Sequence, residues 1–245
     1  MKDLIKRILS KTNYRISKFD KDYITYPFAQ TNEGILINLL SDNKISIAFD
    51  VGANEGQWAN DIRTSGYNHQ IISFEPLQRA FKILSSTCSL DDLWSSHNYA
   101  LGDTDGVSEI NISRNSVSSS LLTMSETHLE AEPESIFYST EKIKVHKLDT
   151  IYGQFMKDRD NVFLKIDTQG FEKKVLDGAS RLLKQTAILQ LEMSFQSLYD
   201  GEHDFFHMKS ILEKLGFVLY HMQNGFRHSK TLELMQVDTI FIKKV

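Results

Sequence analysis

Short apolar runs alternate with longer amphipathic stretches from residue 45 onward. The segments between the runs have the length of helices, and in Phe171–Lys184, for example, apolar side chains recur on one helical face. Short buried strands separated by helices indicate βαβ units and a parallel sheet. Four such runs stand out, each closed by a glycine or an acidic residue: Ile45–Val51, Ile71–Phe74, Val162–Ile166 and Ala187–Leu191.

The end of the chain follows a different pattern. Phe217–His221 and Val237–Lys243 both have the composition of strands, but only a loop around Asn224 and Gly225 separates them. Two adjacent strands without a crossover helix pair antiparallel. The pattern therefore predicts an α/β fold whose mostly parallel sheet ends in a C-terminal antiparallel hairpin.

Residues 103–147 interrupt the alternation of strands and helices. They hold a turn, a strand over Val107–Ile112, a serine-rich stretch and an acidic segment that ends at Glu134. An irregular excursion of this size in a compact domain is usually functional. We expect residues 113–140 to form a mobile part of a substrate site. The serine hydroxyls suit a polyhydroxylated ligand, and the acidic segment disfavours a phosphate-rich one.

Composition and charge exclude several classes of protein. The formal net charge of −4 argues against a nucleic-acid partner. There is no run of 18 apolar residues, so we expect no transmembrane segment, and the first 20 residues lack the pattern of a signal peptide. The one cysteine, Cys88, cannot form an internal disulfide, which favours a reducing compartment and a cytoplasmic location.

The start of the chain has its own charge pattern. Residues 1–22 hold seven Lys or Arg against three Asp, and four apolar residues recur there at helical spacing. We therefore predict an N-terminal helical extension over residues 1–44, followed by one domain over residues 45–245. The favoured interpretation is a helix packed on that domain, and peripheral contact with an anionic membrane is the weaker alternative. The four apolar residues are Leu4, Ile5, Ile8 and Leu9.

The first predicted strand runs into a glycine-bearing turn. Asp50 ends the strand, Gly52 and Gly56 flank the turn, and a helix is expected to begin near Gln57. A strand, a turn of small residues and a helix N-terminus together bind nucleotide-like ligands, because the backbone can approach the ligand closely. Asn54 replaces the middle glycine of the dinucleotide fingerprint, and the acidic Asp50 would attract an ammonium group rather than a phosphate.

The second predicted strand ends in Glu75, and Pro76 fixes the turn that follows. A carboxylate at this position can accept hydrogen bonds from both hydroxyls of a ribose. The alternative interpretation is a carboxylate that caps the next helix.

Two further carboxylates mark candidate catalytic positions. Asp167 and Glu192 close two strands that should be neighbours, and ligands of open α/β sheets bind beyond such strand ends. A carboxylate there can orient a hydroxyl group or remove its proton. The pair could instead hold a divalent metal, which we do not favour because no third ligand is evident. His146 is the one histidine that we keep as an alternative base.

Several motifs together resemble the FkbM-type methyltransferases, which are S-adenosylmethionine-dependent O-methyltransferases of sugar or polyketide hydroxyls. The resemblance covers about residues 45–243, and its most specific part is KIDTQGFEKKVLDGA over Lys165–Ala179. The other motifs are DVGANEGQ from Asp50, SFEP ending at Pro76, ALGD over Ala100–Asp103, SSSLL over Ser118–Leu122, and LQLEMS with the later Tyr199-Asp-Gly201.

The resemblance implies a class I methyltransferase sheet of Rossmann-like type with seven strands. It implies that the turn from Asp50 to Gly56 holds the methionine part of S-adenosylmethionine and that Glu75 holds the ribose, with Asp167 beside the cofactor. The remaining residues implied at the cofactor are Val51, Gly52, Ala53 and Asn54 in the turn, Pro76 after the ribose carboxylate, and Ala100, Leu101, Gly102 and Asp103 along the adenine.

These observations together predict an O-methyltransferase that uses S-adenosylmethionine. The predicted acceptor is a hydroxyl of a sugar or glycan, or of a polyketide-like small molecule. Two alternatives stay open at this point. One is a nicotinamide-dependent oxidoreductase, and the other is a non-enzymatic module that binds S-adenosylmethionine.

Overall fold

The computed structural model describes residues 30–157 and 159–244, and its centre is a seven-stranded sheet. The predicted basic helix of residues 1–22 lies outside these residues. In chain order the seven strands are β1 (Ile47–Val51), β2 (Gln70–Phe74), β3 (Trp94–His97), β7 (Val162–Ile166), β8 (Thr186–Ser194), β9 (Phe217–Asn224) and β10 (Gln236–Lys243). A smaller sheet holds β4 (Ala100–Leu101), β5 (Gly106–Ser113) and β6 (Phe137–His146).

The order of strands across the large sheet is β3-β2-β1-β7-β8-β10-β9. The pairs among β3, β2, β1, β7 and β8 are parallel, and β10 runs antiparallel to both of its neighbours. This is the mostly parallel sheet with a C-terminal antiparallel hairpin that the sequence predicts, so the fold class is confirmed. The chain reverses its winding direction between β1 and β7, and open α/β sheets bind ligands at such a crevice.

The excursion over residues 103–147 is more regular than its sequence suggests. The predicted strand at Val107–Ile112 is part of β5, which pairs antiparallel with the ten-residue β6. Strand β6 is not among the strands predicted above, although Ile143 and Val145 alternate with lysines in the manner of a half-buried strand. The hairpin places residues 114–136 as a connection above the large sheet.

Helices cover both faces of the large sheet. The helix expected over Phe171–Lys184 is instead two short helices, because the carboxylate of Asp149 accepts hydrogen bonds from the backbone of Arg181 and Leu182 and starts a second helix there. The eight α-helices of the described chain are α1 (Asn32–Asp42), α2 (Gln57–Thr64), α3 (Gln78–Cys88), α4 (Glu126–Ala131), α5 (Leu148–Ile151), α6 (Glu172–Asp177), α7 (Leu182–Gln185) and α8 (Phe205–Lys214).

The core lies on both sides of the sheet. One side buries Phe49 and Leu164 against α6, α7 and α8, and the other buries Phe163 and Ile188 against α1 and α2. Helix α1 contributes Leu40 to the second cluster, so this part of the predicted extension packs on the body of the protein. Within the described part of the chain, no helix is both long enough and apolar enough to cross a membrane.

Two loops meet with almost no space between them at Gly178 and Gly102. A Cβ atom at residue 178 would lie 1.9 Å from the carbonyl oxygen of Gly102. We expect Gly178→Ala to lower the free energy of unfolding by roughly 1–3 kcal/mol or more, since backbone atoms must move to admit the methyl group. Denaturant unfolding of the variant measures this loss.

Gly106→Ala is the matched control, because a Cβ at residue 106 meets no atom within 4 Å. Its stability should stay within about 0.5 kcal/mol of wild type, as is usual for surface changes. Equal stabilities of the two variants would contradict the close approach of the loops.

Candidate active site

A cavity of about 600 Å³ opens at the carboxyl ends of β1, β2, β7 and β8 and at the amino end of the antiparallel β10. A volume of this size is within the range of small-molecule and cofactor sites. Its wall comes from the β1–α2 turn, from the residues that follow β2 and β7, and from the β5–β6 connection. Predicted site residues that line it are Val51, Gly52, Ala53, Asn54, Glu75, Pro76, Ala100, Leu101, Asp167 and Glu192.

A buried row of polar side chains crosses the sheet at the base of this cavity. The strand register pairs Ser73 with Asp50, Asp50 with Lys165, and Lys165 with Gln190. The Nζ atom of Lys165 lies 3.2 Å from Oδ1 of Asp50 and 3.4 Å from Oδ2 of Asp167. Burial alone would lower the pKa of Lys165, but the two carboxylates outweigh it and hold the pKa above its usual value.

This arrangement differs from the one that the sequence predicts for Asp50. The side chain is completely buried, accepts a hydrogen bond from the Ser73 hydroxyl at 3.0 Å and faces the ammonium of Lys165. Asp50 is absent from the cavity lining. Its charge is therefore balanced within the protein, and it acts on the cavity through Lys165.

Gly52 is required for a reason other than the close approach of a ligand. Its φ is +76°, and an added Cβ would lie 1.8 Å from the carbonyl oxygen of Asp167. The close approach that demands glycine is thus between the β1–α2 turn and the end of β7. A larger residue at this position would disturb the fold of the site as well as any ligand in it.

Glu75 closes the turn from the other side. Its Oε2 accepts a hydrogen bond from the backbone of Asn54 at 2.9 Å, and its Oε1 accepts one from the backbone of Leu77 at 2.8 Å. Burial raises the pKa of Glu75 to about 7, and the charge of Asp50 adds to the effect. The carboxyl caps backbone groups and also lines the cavity, so the two roles predicted for it are compatible.

Four polar atoms at the cavity lack partners in the described residues. They are Oδ1 of Asn54, Nε1 of Trp58, Nδ1 of His128 and Oε1 of Gln190, and all four side chains line the cavity. Buried polar atoms in native proteins nearly always have a hydrogen-bond partner. The unmet donor of Trp58 and the unmet acceptors of Asn54 and Gln190 therefore fit a polar ligand that presents both kinds of group.

A second polar row lies above the first, at the open end of the strands. Asp167 and Glu192 follow Lys165 and Gln190 by two residues, so each projects from the same face as the residue below it. The register pairs Glu192 with Asp238 on β10. The predicted neighbours Asp167 and Glu192 are thus brought together, beside a third acidic residue that the sequence analysis missed.

The two predicted catalytic carboxyls differ in their surroundings. Both oxygens of Asp167 are occupied, Oδ2 by the ammonium of Lys165 and Oδ1 by the Gln169 amide at 3.1 Å. Oε2 of Glu192 accepts from Gln169 at 2.7 Å and from Gln236 at 3.2 Å, while no described residue bonds to its Oε1. Burial raises the pKa of Glu192 well above its usual value, and the charges of Asp167 and Asp238 raise it further.

The β5–β6 connection forms the wall opposite these carboxyls. Ser118 and Ser135 line the cavity, but their hydroxyls bond to the Asn115 amide at 2.9 Å and lie 3.2 Å from each other. Ser118, one of the serines predicted to bind a polyol, thus also helps to hold the wall together, and its contact with a ligand is still only a prediction. The predicted mobility of this segment stays a prediction.

Other predicted site residues lie away from the cavity lining. His146 contacts Asp105 at 3.4 Å and packs edge-on against Tyr99. Asp103 forms an ion pair with Lys174 at 2.7 Å. The remaining ones are Gly102, which packs against Gly178, and Gly56, which packs against Leu84 and Trp94.

No group of three or more His, Cys, Asp or Glu side chains in residues 30–157 and 159–244 is arranged to hold a metal ion. Asp167 faces the ammonium of Lys165, and Glu192 faces two amide donors. The donor set around the carboxyl pair therefore supplies positive and N–H groups where a metal site would supply further oxygen ligands.

The family model of the methyltransferase FkbM domain matches residues 50–219, which is more than half of the chain. The match begins at the end of β1 and extends into β9, so it covers β2 to β8 in full. No protein with a curated description matches the chain.

Solved structures with a similar fold are distant in sequence. The magnesium protoporphyrin IX methyltransferase ChlM from Synechocystis PCC 6803, with bound SAM, is 9% identical over 99% of this chain and 97% of the other, with a TM-score of 0.47. TehB from Haemophilus influenzae is 8% identical over 91% of this chain and 67% of the other, with a TM-score of 0.48. Likenesses this distant carry no information about the substrate.

The turn after Asp167 depends on a buried carboxyl that titrates near neutral pH. Oε1 of Glu172 accepts hydrogen bonds from the backbone of Thr168 and Gly170 and from the Thr168 hydroxyl. Burial raises the pKa of Glu172 from 4.5 to about 7. Between pH 4.5 and about 7, the folded state therefore holds a proton that the unfolded state has lost. The contribution of Glu172 to the free energy of unfolding should fall by up to about 1.4 kcal/mol per pH unit as the pH rises through this interval.

Glu172→Gln isolates this contribution, because the amide oxygen keeps all three hydrogen bonds and does not titrate. The free energy of unfolding of the variant should rise relative to that of wild type between pH 4.5 and about 7. Above about pH 7 the difference between the two proteins should stay constant. Denaturant titrations across this range measure the difference. If the free energies of unfolding of the two proteins change in parallel with pH, the pKa of Glu172 is not raised in the folded state.

Proposed function

The chain belongs to the FkbM family of S-adenosylmethionine-dependent methyltransferases, and from this premise we propose that it methylates a hydroxyl oxygen of an uncharged sugar or glycan. The proposal rests above all on Glu192, a cavity-lining carboxyl with one unbonded oxygen and a raised pKa. Family membership gives no support to the nicotinamide-dependent alternative.

The cofactor half of the cavity lies over β1 and β2. S-adenosylmethionine supplies an electrophilic methyl group on a sulfonium when bound. We assign the ribose to Glu75, whose buried carboxyl can still accept hydrogen bonds besides those from Asn54 and Leu77. Ala100 and Leu101 supply an apolar surface for the adenine. The acidic residues of the site favour the cationic cofactor over its neutral product.

We assign the amino-acid end of the cofactor to the base of the cavity. A free amino acid carries a carboxylate, which needs donors and positive charge, and an ammonium, which needs acceptors. The indole N–H of Trp58 and the nearby ammonium of Lys165 suit the carboxylate. The unbonded oxygens of Asn54 and Gln190 suit the ammonium.

The acceptor half lies over β7, β8 and β10. Its lining is rich in carboxyl and amide side chains and includes the aromatic ring of Phe226. Carboxyls and amides bond to hydroxyl groups as both donors and acceptors, and an aromatic face packs against the C–H face of a sugar ring. An anionic acceptor would meet Asp167, Glu192 and Asp238, with no free cation among the described lining residues.

Glu192 is the better candidate for the base that takes the hydroxyl proton. The amount of proton transfer depends on the pKa of the base, and a raised pKa favours it. Asp167 is held by Lys165, so it is less available and instead orients the acceptor or the sulfonium. His146 lies away from the cavity lining, which gives no support to its assignment as a base.

The assignment of Trp58 predicts a contrast between two ligands. S-adenosylhomocysteine has the amino-acid end, and 5′-methylthioadenosine lacks it. Trp58→Phe removes one N–H donor to a charged group, which is worth about 1.5–3 kcal/mol, or roughly 10- to 150-fold in affinity. Calorimetry should show that loss for S-adenosylhomocysteine and a change of less than about threefold for 5′-methylthioadenosine.

The truncated ligand serves as the control for general damage to the site. If Trp58→Phe weakens the binding of both ligands equally, Trp58 shapes the whole cavity. If it weakens the binding of neither ligand, Trp58 is not part of the cofactor site. Gln190→Leu should give the same contrast through the ammonium group.

Methyl transfer to a panel of methyl glycosides tests the acceptor proposal. With radiolabelled S-adenosylmethionine, we expect transfer to neutral hexosides and at least roughly tenfold lower kcat/KM for their uronate and 6-phosphate analogues, a difference of about 1.4 kcal/mol. Glu192→Gln should lower kcat on the best acceptor by about 10²- to 10⁴-fold while S-adenosylhomocysteine binds normally.

The same assay separates the alternatives. Preferred methylation of the anionic analogues would overturn the uncharged-sugar assignment, and full activity of Glu192→Gln would overturn its role as base. Loss of activity with EDTA that Mg²⁺ or Mn²⁺ restores would favour a metal over the base. Binding of S-adenosylmethionine without transfer to any acceptor would favour the non-enzymatic module.

A further inference from the structure

Gln169 lies between the two carboxyls of the site and contacts both. Its Nε2 is 3.1 Å from Oδ1 of Asp167 and 2.7 Å from Oε2 of Glu192. An amide nitrogen carries two hydrogens, so each carboxyl can receive one. A single side chain thus links the end of β7 to the end of β8.

The two carboxyls and Tyr199 together favour one orientation of the amide. The Tyr199 hydroxyl lies 2.8 Å from Oε1 of Gln169 and 3.2 Å from the carbonyl oxygen of Ser118, and the shorter contact is the one to Gln169. The ring of Tyr199 is completely buried, so the hydroxyl has little freedom to move. A flipped amide would turn its oxygen towards Asp167 and Glu192, and acceptor would then face acceptor.

The backbone around Gln169 is fixed as firmly as its side chain. Gln169 has a φ of +55° and Gly170 a φ of +91°, so two successive residues are left-handed. A Cβ at Gly170 would lie 2.9 Å from the Tyr199 ring, which explains the glycine. The Ser120 hydroxyl also donates to the carbonyl of Gln169 at 2.7 Å. A non-glycine left-handed residue is uncommon and costs energy, so the surrounding contacts must maintain it.

The bonds to Glu192 leave its two oxygens in different states. Gln169 and Gln236 both donate to Oε2. No hydrogen bond from residues 30–157 or 159–244 reaches Oε1, and Glu192 lines the cavity. One oxygen is therefore reserved by the protein, and the other is open to a ligand.

We propose that Gln169 is a positioning residue that, through the two hydrogens of its amide, holds Asp167 and Glu192 side by side and leaves Oε1 of Glu192 as the oxygen that meets the acceptor hydroxyl. This proposal rests on the proposed function of Glu192 as the base. Tyr199 acts through Gln169 by supporting this orientation of the amide.

The role of Gln169 has a measurable consequence for the charge of Glu192. The groups that face Glu192 are mostly acidic and come from several elements: Asp167 after β7, Asp238 on β10, Glu172 on α6 and Glu202 before α8, with Lys165 on β7 as the nearby cation. The amide hydrogens of Gln169 oppose this repulsion, because they stabilise the ionised carboxylate. Removing them should make Glu192 harder to ionise.

The titration of Glu192 can be followed without any acceptor. In protein labelled with ¹³C at the glutamate carboxyl carbon, the signal of Glu192 is identified by its loss in Glu192→Gln. We expect Gln169→Met, which keeps the length of the side chain but no donor, to raise the pKa of Glu192 by about one unit or more. Tyr199→Phe should give a smaller shift in the same direction.

Gln57→Met is the matched control. Gln57 also lines the cavity, but its only side-chain hydrogen bond in the described chain is to the backbone of Glu55. It should leave the titration of Glu192 unchanged. A role of Gln169 in folding alone would lower the melting temperature without moving that titration.

An unchanged pKa of Glu192 in folded Gln169→Met would overturn the proposal. If that variant does not fold, an unchanged pKa in Tyr199→Phe overturns it instead. On the best glycoside, the acidic limb of the pH–rate profile should move upward with the NMR value. A shift in the NMR titration without transfer to any glycoside would retain the positioning role and reject the proposed function.

Discussion

The site depends on one buried cation. Lys165 projects from the centre of the sheet into the base of the cavity, between the carboxylates of Asp50 and Asp167. Charges this far from water are stable only when they are paired at close range, so β1 and β7 must remain in the register that joins them. Gly52 has the same effect, because its lack of a Cβ lets the β1–α2 turn approach the end of β7. The ion pairs of Lys165 and the close approach at Gly52 together fix β1 against β7, at the place where the chain reverses its winding direction.

The cavity follows from the alternation of side chains along the strands. Residues two apart project from the same face, so the lower row of Asp50, Lys165 and Gln190 is followed by an upper row that includes Asp167 and Glu192. The lower row is balanced by its own charges. The upper row has more acid than the single cation below it can offset, and this excess suits a cationic cofactor and an uncharged acceptor.

The sequence is most informative where a residue's role depends on its own strand. Four of the five parallel strands, the terminal hairpin and the adjacency of Asp167 and Glu192 follow from periodicity and from strand ends. Roles that depend on distant neighbours are not visible in it. Gln169 matters because Tyr199 bonds to it from 30 residues away. Asp50 turns inward because Lys165 reaches it from β7, and the helix break near Gly178 depends on Asp149.

We propose that the cofactor lies over β1 and β2, with its amino-acid end reaching Gln190 on β8, and that the acceptor lies over β7, β8 and β10, with Asp167 between the two. A crystal structure with S-adenosylhomocysteine measures this most directly. We predict the ribose hydroxyls against Glu75, the amino-acid end beside Trp58 and Gln190, and the sulfur facing the side of Glu192. A ligand whose sulfur points away from Glu192, or whose ribose lies elsewhere than at Glu75, would contradict the account.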